Sequence, residues 1–354
     1  MTDYHWQTYL ARPQFRDNRK VVFCFDEIQV VPGWETFIRR VLDSEKMEVF
    51  VSGSSARMLS REIASALRGR SMATVIYPFS FREHLRHRGI EIPPNPTFVP
   101  KAQRSQIESS LLTFLAEGDF PEAQGLEPGD RIELLQGYVE TVIFRDVVER
   151  HQARNVEALR RLVRQLLASP ASGFSVHKFF NDLRSQGVSV GKDALHSMLS
   201  WLEDTFLIRL VPIDSASERQ RQVNPRKVYP VDSGLISVFD RSGKANTGHA
   251  LETAVLIELE RRRHQVAYGK TPNGKAVDFI ARNRAGQTVY IQVCAELRPL
   301  RARVPPGLLL QEPLPLPFLS PEERPDHRPV YPRPGRGPGA SPALCPSTLG
   351  FQVA

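Results

Sequence analysis

The sequence predicts an α/β protein: a parallel-sheet unit, a helical middle, a small second α/β unit and a proline-rich tail. Three observations predict it. Short apolar runs alternate with helical spacings from residue 21 to residue 76. Helical periodicity then dominates to about residue 211. Beyond that, one helix precedes three strand-like runs separated by Asn273-Gly274 and Ala285-Gly286. The expected divisions are residues 1–125, 126–215, 216–297 and 298–354.

Residues 1–20 are polar and irregular. Val21–Phe25 is a continuous apolar run ending in Asp26-Glu27, which reads as a buried parallel strand. Pro32-Gly33 makes a turn. Trp34–Asp43 carries Phe37, Ile38, Val41 and Leu42 at helical spacing. Met47–Val51 is a second strand, closed by Ser52-Gly53-Ser54-Ser55. A helix over 56–67 and a third strand over Ala73–Ile76 complete the unit. Helices follow at Ser80–His87 and Gln103–Glu117, with a proline-rich loop between them and a break at Gly118-Asp119-Phe120-Pro121. Asp130–Arg150 reads as one long helix N-capped by Asp130, and Val156–Leu167 as another. Ser175–Arg184, Lys192–Thr205 and Phe206–Pro212 read helix, helix, strand, a winged-helix-like order. Residues 216–227 form a polar loop. Val228–Val231 is a strand and Ala250–Arg263 a helix. Gln265–Tyr268, Ala276–Ala281 and Val289–Cys294 are the closing strands.

From Arg298 lysine vanishes, and the segment is too rich in proline to bury a core, so disorder is expected. The abrupt change after a folded strand is also what a frameshift would produce. No run of about 18 apolar residues is present, so no membrane helix is expected. The start has no apolar signal core, which points to the cytoplasm. Cys24, Cys294 and Cys345 form no CxxC pair, and those within strands are expected to be buried free thiols. The formal net charge of +8 permits nucleic-acid contact without requiring it.

Asp26-Glu27 at the end of an apolar strand suits a magnesium ligand followed by a water-activating acid, because ligands gather at the carboxyl edge of a parallel sheet. An acid pair in an ordinary turn has the same local pattern. The longer run decides between them. FDEIQVVPGWETFIRRVLD, then GSS, LRGR and PFSF, resembles the prokaryotic AAA-type ATPases that carry a C-terminal domain of unknown function. KVYPVDSGL, GHALETAVLIELERR and YGKTPNGKAVDFIARN resemble that C-terminal domain, so the likeness covers about Val21–Leu297.

The resemblance implies a P-loop NTPase (AAA+) domain that uses ATP and Mg²⁺. Asp26 would hold the metal and Glu27 would activate water. Ser52 or Ser54 would be the sensor, unless these serines only cap the next helix. Arg68 and Arg70 are arginine-finger candidates, with surface ion pairing as the plainer alternative. A finger reaching a neighbour's nucleotide would imply a homo-oligomer. The pattern departs from the family at one point. No GxxxxGK[ST] run occurs, and the roughly 20 residues ahead of the acid strand are too few to hold it. The expected protein is therefore an N-terminally truncated member with impaired ATP binding.

The same resemblance gives the last unit a restriction-endonuclease-like core. Glu252, Asp278 and Gln292 match a metal-site pattern whose lysine is replaced by Cys294, so an inactive site is expected. In the winged-helix candidate, Lys192, His196 and Trp201 lie on the recognition-helix position, which is poor in basic residues. The alternative function is thus a non-catalytic DNA- or protein-binding module.

Overall fold

The computed structural model describes residues 22–28, 31–44, 48–53, 71–92, 99–240, 246–270 and 276–294. The expected helix at 56–67 and the tail after residue 294 lie outside the described residues.

Strand β1 (Val22–Phe25) pairs in parallel with β2 (Glu48–Val51), and helix α1 (Trp34–Ser44) connects them. Trp34 and Ile38, one helical turn apart, are buried against Phe25, Val49 and Val51. That covers one face of the pair. The other face presents Val22, Cys24, Glu48 and Phe50 to solvent. Cys24 is consequently exposed rather than buried, because an apolar strand needs cover on both faces to hide every residue; Cys294 is exposed too, beyond the strand expected to hold it, which ends at Ile291.

The third strand expected at Ala73–Ile76 does not form; among the described residues this sheet has two strands. Val75, Ile76 and Tyr77 instead line an apolar cavity with Phe120, Tyr138 and Leu207. Helix α2 (Phe81–His87) starts with a capping box, Ser80 with Glu83. Helix α3 is Lys101–Glu117.

The expected single helix over 130–150 is α4 (Pro128–Thr141) running into a π-helical segment, Val142–Glu149. Glu127 holds the N-cap position because Pro128 fits the first helical turn. Asp130 falls inside that turn, where it favours the helix dipole without capping.

Next come α5 (Val156–Ala168), β3 (Gly173–Phe174), α6 (Val176–Ser185), α7 (Lys192–Asp204) and β4 (Ile208–Val211). The polar stretch 216–227 is not simply a loop. It contains the short helix α8 (Glu218–Val223), N-capped by Ser217, and then enters β5 (Arg226–Pro230). The three strands form one antiparallel sheet in the order β3-β5-β4, drawn from both sides of residue 215. Leu159, Leu162 and Leu166 on α5 recur at helical spacing and are buried in the largest core with Phe179, Leu195 and Leu202.

Helix α9 (Gly234–Phe239) follows, then α10 (Thr247–Arg261) and an antiparallel meander of β6 (Gln265–Lys270), β7 (Ala276–Arg282) and β8 (Thr288–Ile291). Val211 and Tyr229 share a buried cluster with Leu256, Tyr268 and Phe279. The middle sheet and the C-terminal sheet therefore share a core.

Candidate functional site

Two acidic sites emerge at sheet edges. The first follows from parallel pairing. Because β1 and β2 run side by side, Asp26 and Ser52 both emerge at their carboxyl ends; Ser52 N–H donates to Phe25 O at 2.8 Å. The Ser52 hydroxyl donates to Asp26 Oδ1. Glu27 lies at φ +48°, a left-handed conformation that is unusual for a residue with a Cβ. Its carboxylate is ion-paired to Arg145 of the π-helical segment. Arg145 Nε also lies 3.7 Å from Asp146 Oδ1. The structure thus brings together Asp26, Glu27 and Ser52, and adds Arg145, which sequence reading missed. Its only local signal is a π-helical turn, invisible to periodicity. Ser54, Arg68 and Arg70 lie outside the described residues.

The second site is denser. Asp278 Oδ2 accepts from Gln292 Nε2 and from Val293 N–H at 2.9 Å. Tyr229 OH donates to Glu252 Oε2 at 3.2 Å. Lys227 Nζ stands between the acids, 3.3 Å from Asp278 Oδ1 and 3.7 Å from Glu252 Oε2. Glu252, Asp278 and Gln292 are therefore neighbours, and the lysine among them comes from β5 rather than from position 294. Sequence separation hid it: Lys227 precedes Asp278 by 51 residues. Burial, then the Asp278 charge, raises the Glu252 pKa, with Lys227 opposing. Burial, then Glu252, likewise raises that of Tyr229. Among the described residues no group of three or more His, Cys, Asp or Glu side chains is placed to hold a metal.

Of the recognition-helix candidates, Lys192 and His196 are exposed. Lys192 lies over the Phe180 ring at 5.1 Å. Trp201 is stacked on His151, ring centroids 4.5 Å apart.

A buried polar knot was also missed. Asp232 accepts from Asp119 N–H at 2.7 Å and Gly234 N–H at 2.8 Å. A Cβ at Gly118 or Gly234 would collide with this crossing, which explains both glycines. Burial raises the Asp232 pKa to about 6, and burial followed by the Asp232 charge raises that of Asp119 well above the usual range. His84, fully buried beside Phe81 and Phe114, is lowered to about 4 by burial and then by Arg88 and His87. The knot ties 79–84, 117–124 and 231–234 together.

Residues 3–85 match the family model of an AAA domain. Residues 108–244 match a domain of unknown function (DUF8612). The chain is 33% identical over 285 residues to an uncharacterized protein of Methanocaldococcus jannaschii, covering 79% of this chain and 62% of that protein. It is 28% identical over 303 residues to an uncharacterized protein of Haemophilus influenzae, covering 83% and 72%. The chain thus spans less than two thirds of the first of these relatives. The AAA-domain match covers Asp26 and Glu27 after β1 and Ser52 after β2, and suggests a P-loop-type nucleotide-binding function. Among the described residues no helix is long and apolar enough to cross a membrane.

Proposed function

We propose that this chain is a cytoplasmic AAA-type ATP-binding protein that supplies the magnesium side of a nucleotide site. Asp26 is the Mg²⁺ ligand, Glu27 the water-activating acid and Ser52 the sensor candidate that also orients the Asp26 carboxylate. Ser54 is a further sensor candidate. Arg68 and Arg70 are the finger candidates, which favours a homo-oligomeric assembly. The observation that carries the reading is the Ser52–Asp26 hydrogen bond at adjacent parallel strand ends, within the AAA match. Mg²⁺ bound there would neutralise phosphate charge. The chain's own groups hold and orient: Ser52 fixes the Asp26 carboxylate, and Arg145 fixes the Glu27 carboxylate. No GxxxxGK[ST] run is present in the sequence, so binding of ATP by these residues alone should be weak. Titration with a fluorescent ATP analogue and Mg²⁺ tests the reading. Weak binding that Asp26→Ala abolishes supports it; equal binding by both proteins refutes it.

A second reading is a DNA- or protein-binding module, with 156–230 as a winged helix and 247–294 as an inactive nuclease-like unit. The order β3-β5-β4 around α5, α6 and α7 favours the first part. The second is favoured by the proximity of Glu252, Asp278 and Gln292, with Lys227 occupying the space between the two acids where a metal would sit.

A further inference from the structure

The segment between β4 and β5 is held in an unusual way. Tyr268 binds both of its ends. The Tyr268 backbone accepts from Asp214 N–H at 2.7 Å and donates to Pro212 O at 2.9 Å. Its hydroxyl donates to Pro225 O at 2.6 Å. Arg282 Nη2 adds two hydrogen bonds to the Asp214 carboxylate, at 2.8 and 3.0 Å. At the tip, Ser217 caps α8 and Asn224 Nδ2 donates to Gln220 O at 2.8 Å. The loop is therefore tied at both ends and at its tip, which limits the ordering entropy to be lost on binding.

Its exposed residues include Glu218, Arg219, Gln220, Arg221, Gln222 and Arg226. Glu218 is paired with Arg221 at 2.5 Å. Arg219 and Arg226 have no carboxylate partner among the described residues. Phe174 pairs with Arg226 across the sheet, which brings the exposed Lys178 of α6 to the same end. Ser172, Ser175 and Lys178 line a cavity of about 210 Å³ there.

We propose that residues 212–226 form a wing that docks duplex DNA, with Arg219, Arg221 and Arg226 on the phosphate backbone. Guanidinium groups interleaved with carboxamides suit phosphate and groove-edge hydrogen bonding. An acidic protein partner fits less well, since protein interfaces centre on aromatic or apolar anchors and none of this loop's described side chains is a large exposed hydrophobic. Single strands fit less well too, because among the described side chains between residues 171 and 230 no large exposed hydrophobic offers a stacking platform. The contact therefore lies on the wing and not on α7, where Asp193, Glu203 and Asp204 outweigh Lys192. The proposal rests on the second reading above and is independent of the nucleotide site.

The test is fluorescence anisotropy with a roughly 20-base-pair DNA duplex across about 50 to 200 mM salt, without nucleotide. The full chain should bind, with affinity falling steeply with salt. Arg219→Ala and Arg226→Ala should each lower the log–log salt slope by about one. R219E/R226E should weaken binding at least about tenfold at the lower salt. K192A should change little. Melting curves check folding, and R219Q/R226Q replaces the reversal if it melts early. Duplex binding that survives both double variants overturns the wing while leaving the module reading. No duplex binding by the wild type overturns the wing and the DNA branch of the module reading, leaving only its protein-binding branch. Stronger competition by duplex RNA, single strands or polyglutamate than by duplex DNA overturns the choice of partner.

Discussion

The two acidic sites differ in where their positive charge comes from. At the C-terminal cluster, Lys227 sits between Asp278 and Glu252, with lysine and acid side chains all 15% exposed or less. At the strand ends, Asp26 is exposed, and the arginine on Glu27 is itself 46% exposed. The closed site carries its own cation; the open one leaves a carboxylate facing solvent beside a serine. Similar residue types thus give a closed ionic cluster in one place and a solvent-facing edge in the other, and the covering of the sheet decides which.

The largest expected effect is at the closed cluster. Lys227→Met leaves two acids facing each other out of water and should cost about 3 kcal/mol in chemical denaturation. Glu27→Gln should cost less than about 1 kcal/mol, since its partner is half in water. Equal losses would erase the contrast.

The next effect is pH-dependent. The folded Glu252 carboxyl has a raised pKa, so the folded state holds this proton more tightly than the unfolded state. Its stabilising contribution is complete below the unfolded value of 4.5 and is lost as pH rises through the folded value. The stability of Glu252→Gln relative to the wild type should therefore improve steadily as denaturation is repeated from pH 4.5 upward. A constant difference would mean that the carboxylate pays no burial penalty.

The sequence made the first site more legible than the second, for a physical reason. Asp26 and Glu27 follow an apolar run directly, and Ser52 ends the next one, so local pattern places all three. Arg145 and Lys227 arrive from elements far away in sequence, and only tertiary packing delivers them. The grouping of Glu252, Asp278 and Gln292 came from the resemblance, and one helix followed by an antiparallel meander is what brings them close. Ala73–Ile76 misled because β-branched apolar residues suit a cavity wall as well as a strand. Cys24 misled because apolar runs signal burial only when both sheet faces are covered.

A smaller effect measures the open site directly. A double-mutant cycle on Arg145→Ala and Glu27→Gln should give a coupling of about 0.5 kcal/mol that fades with added salt. Coupling several times larger would make this contact a second closed cluster and break the comparison.

The smallest effect is expected at Cys294. This residue stands where the nuclease-like pattern calls for lysine, yet it is exposed, and the cluster already has its cation from β5. Cys294→Ser should shift stability by no more than about 0.5 kcal/mol. In a Cys345→Ser background, both Cys24 and Cys294 should react with a thiol reagent in the native state. The decisive comparison is Cys294→Ser combined with Lys227→Met. If position 294 stands outside the cluster, the two losses add. Strong non-additivity would show that residue 294 shares the network around Asp278.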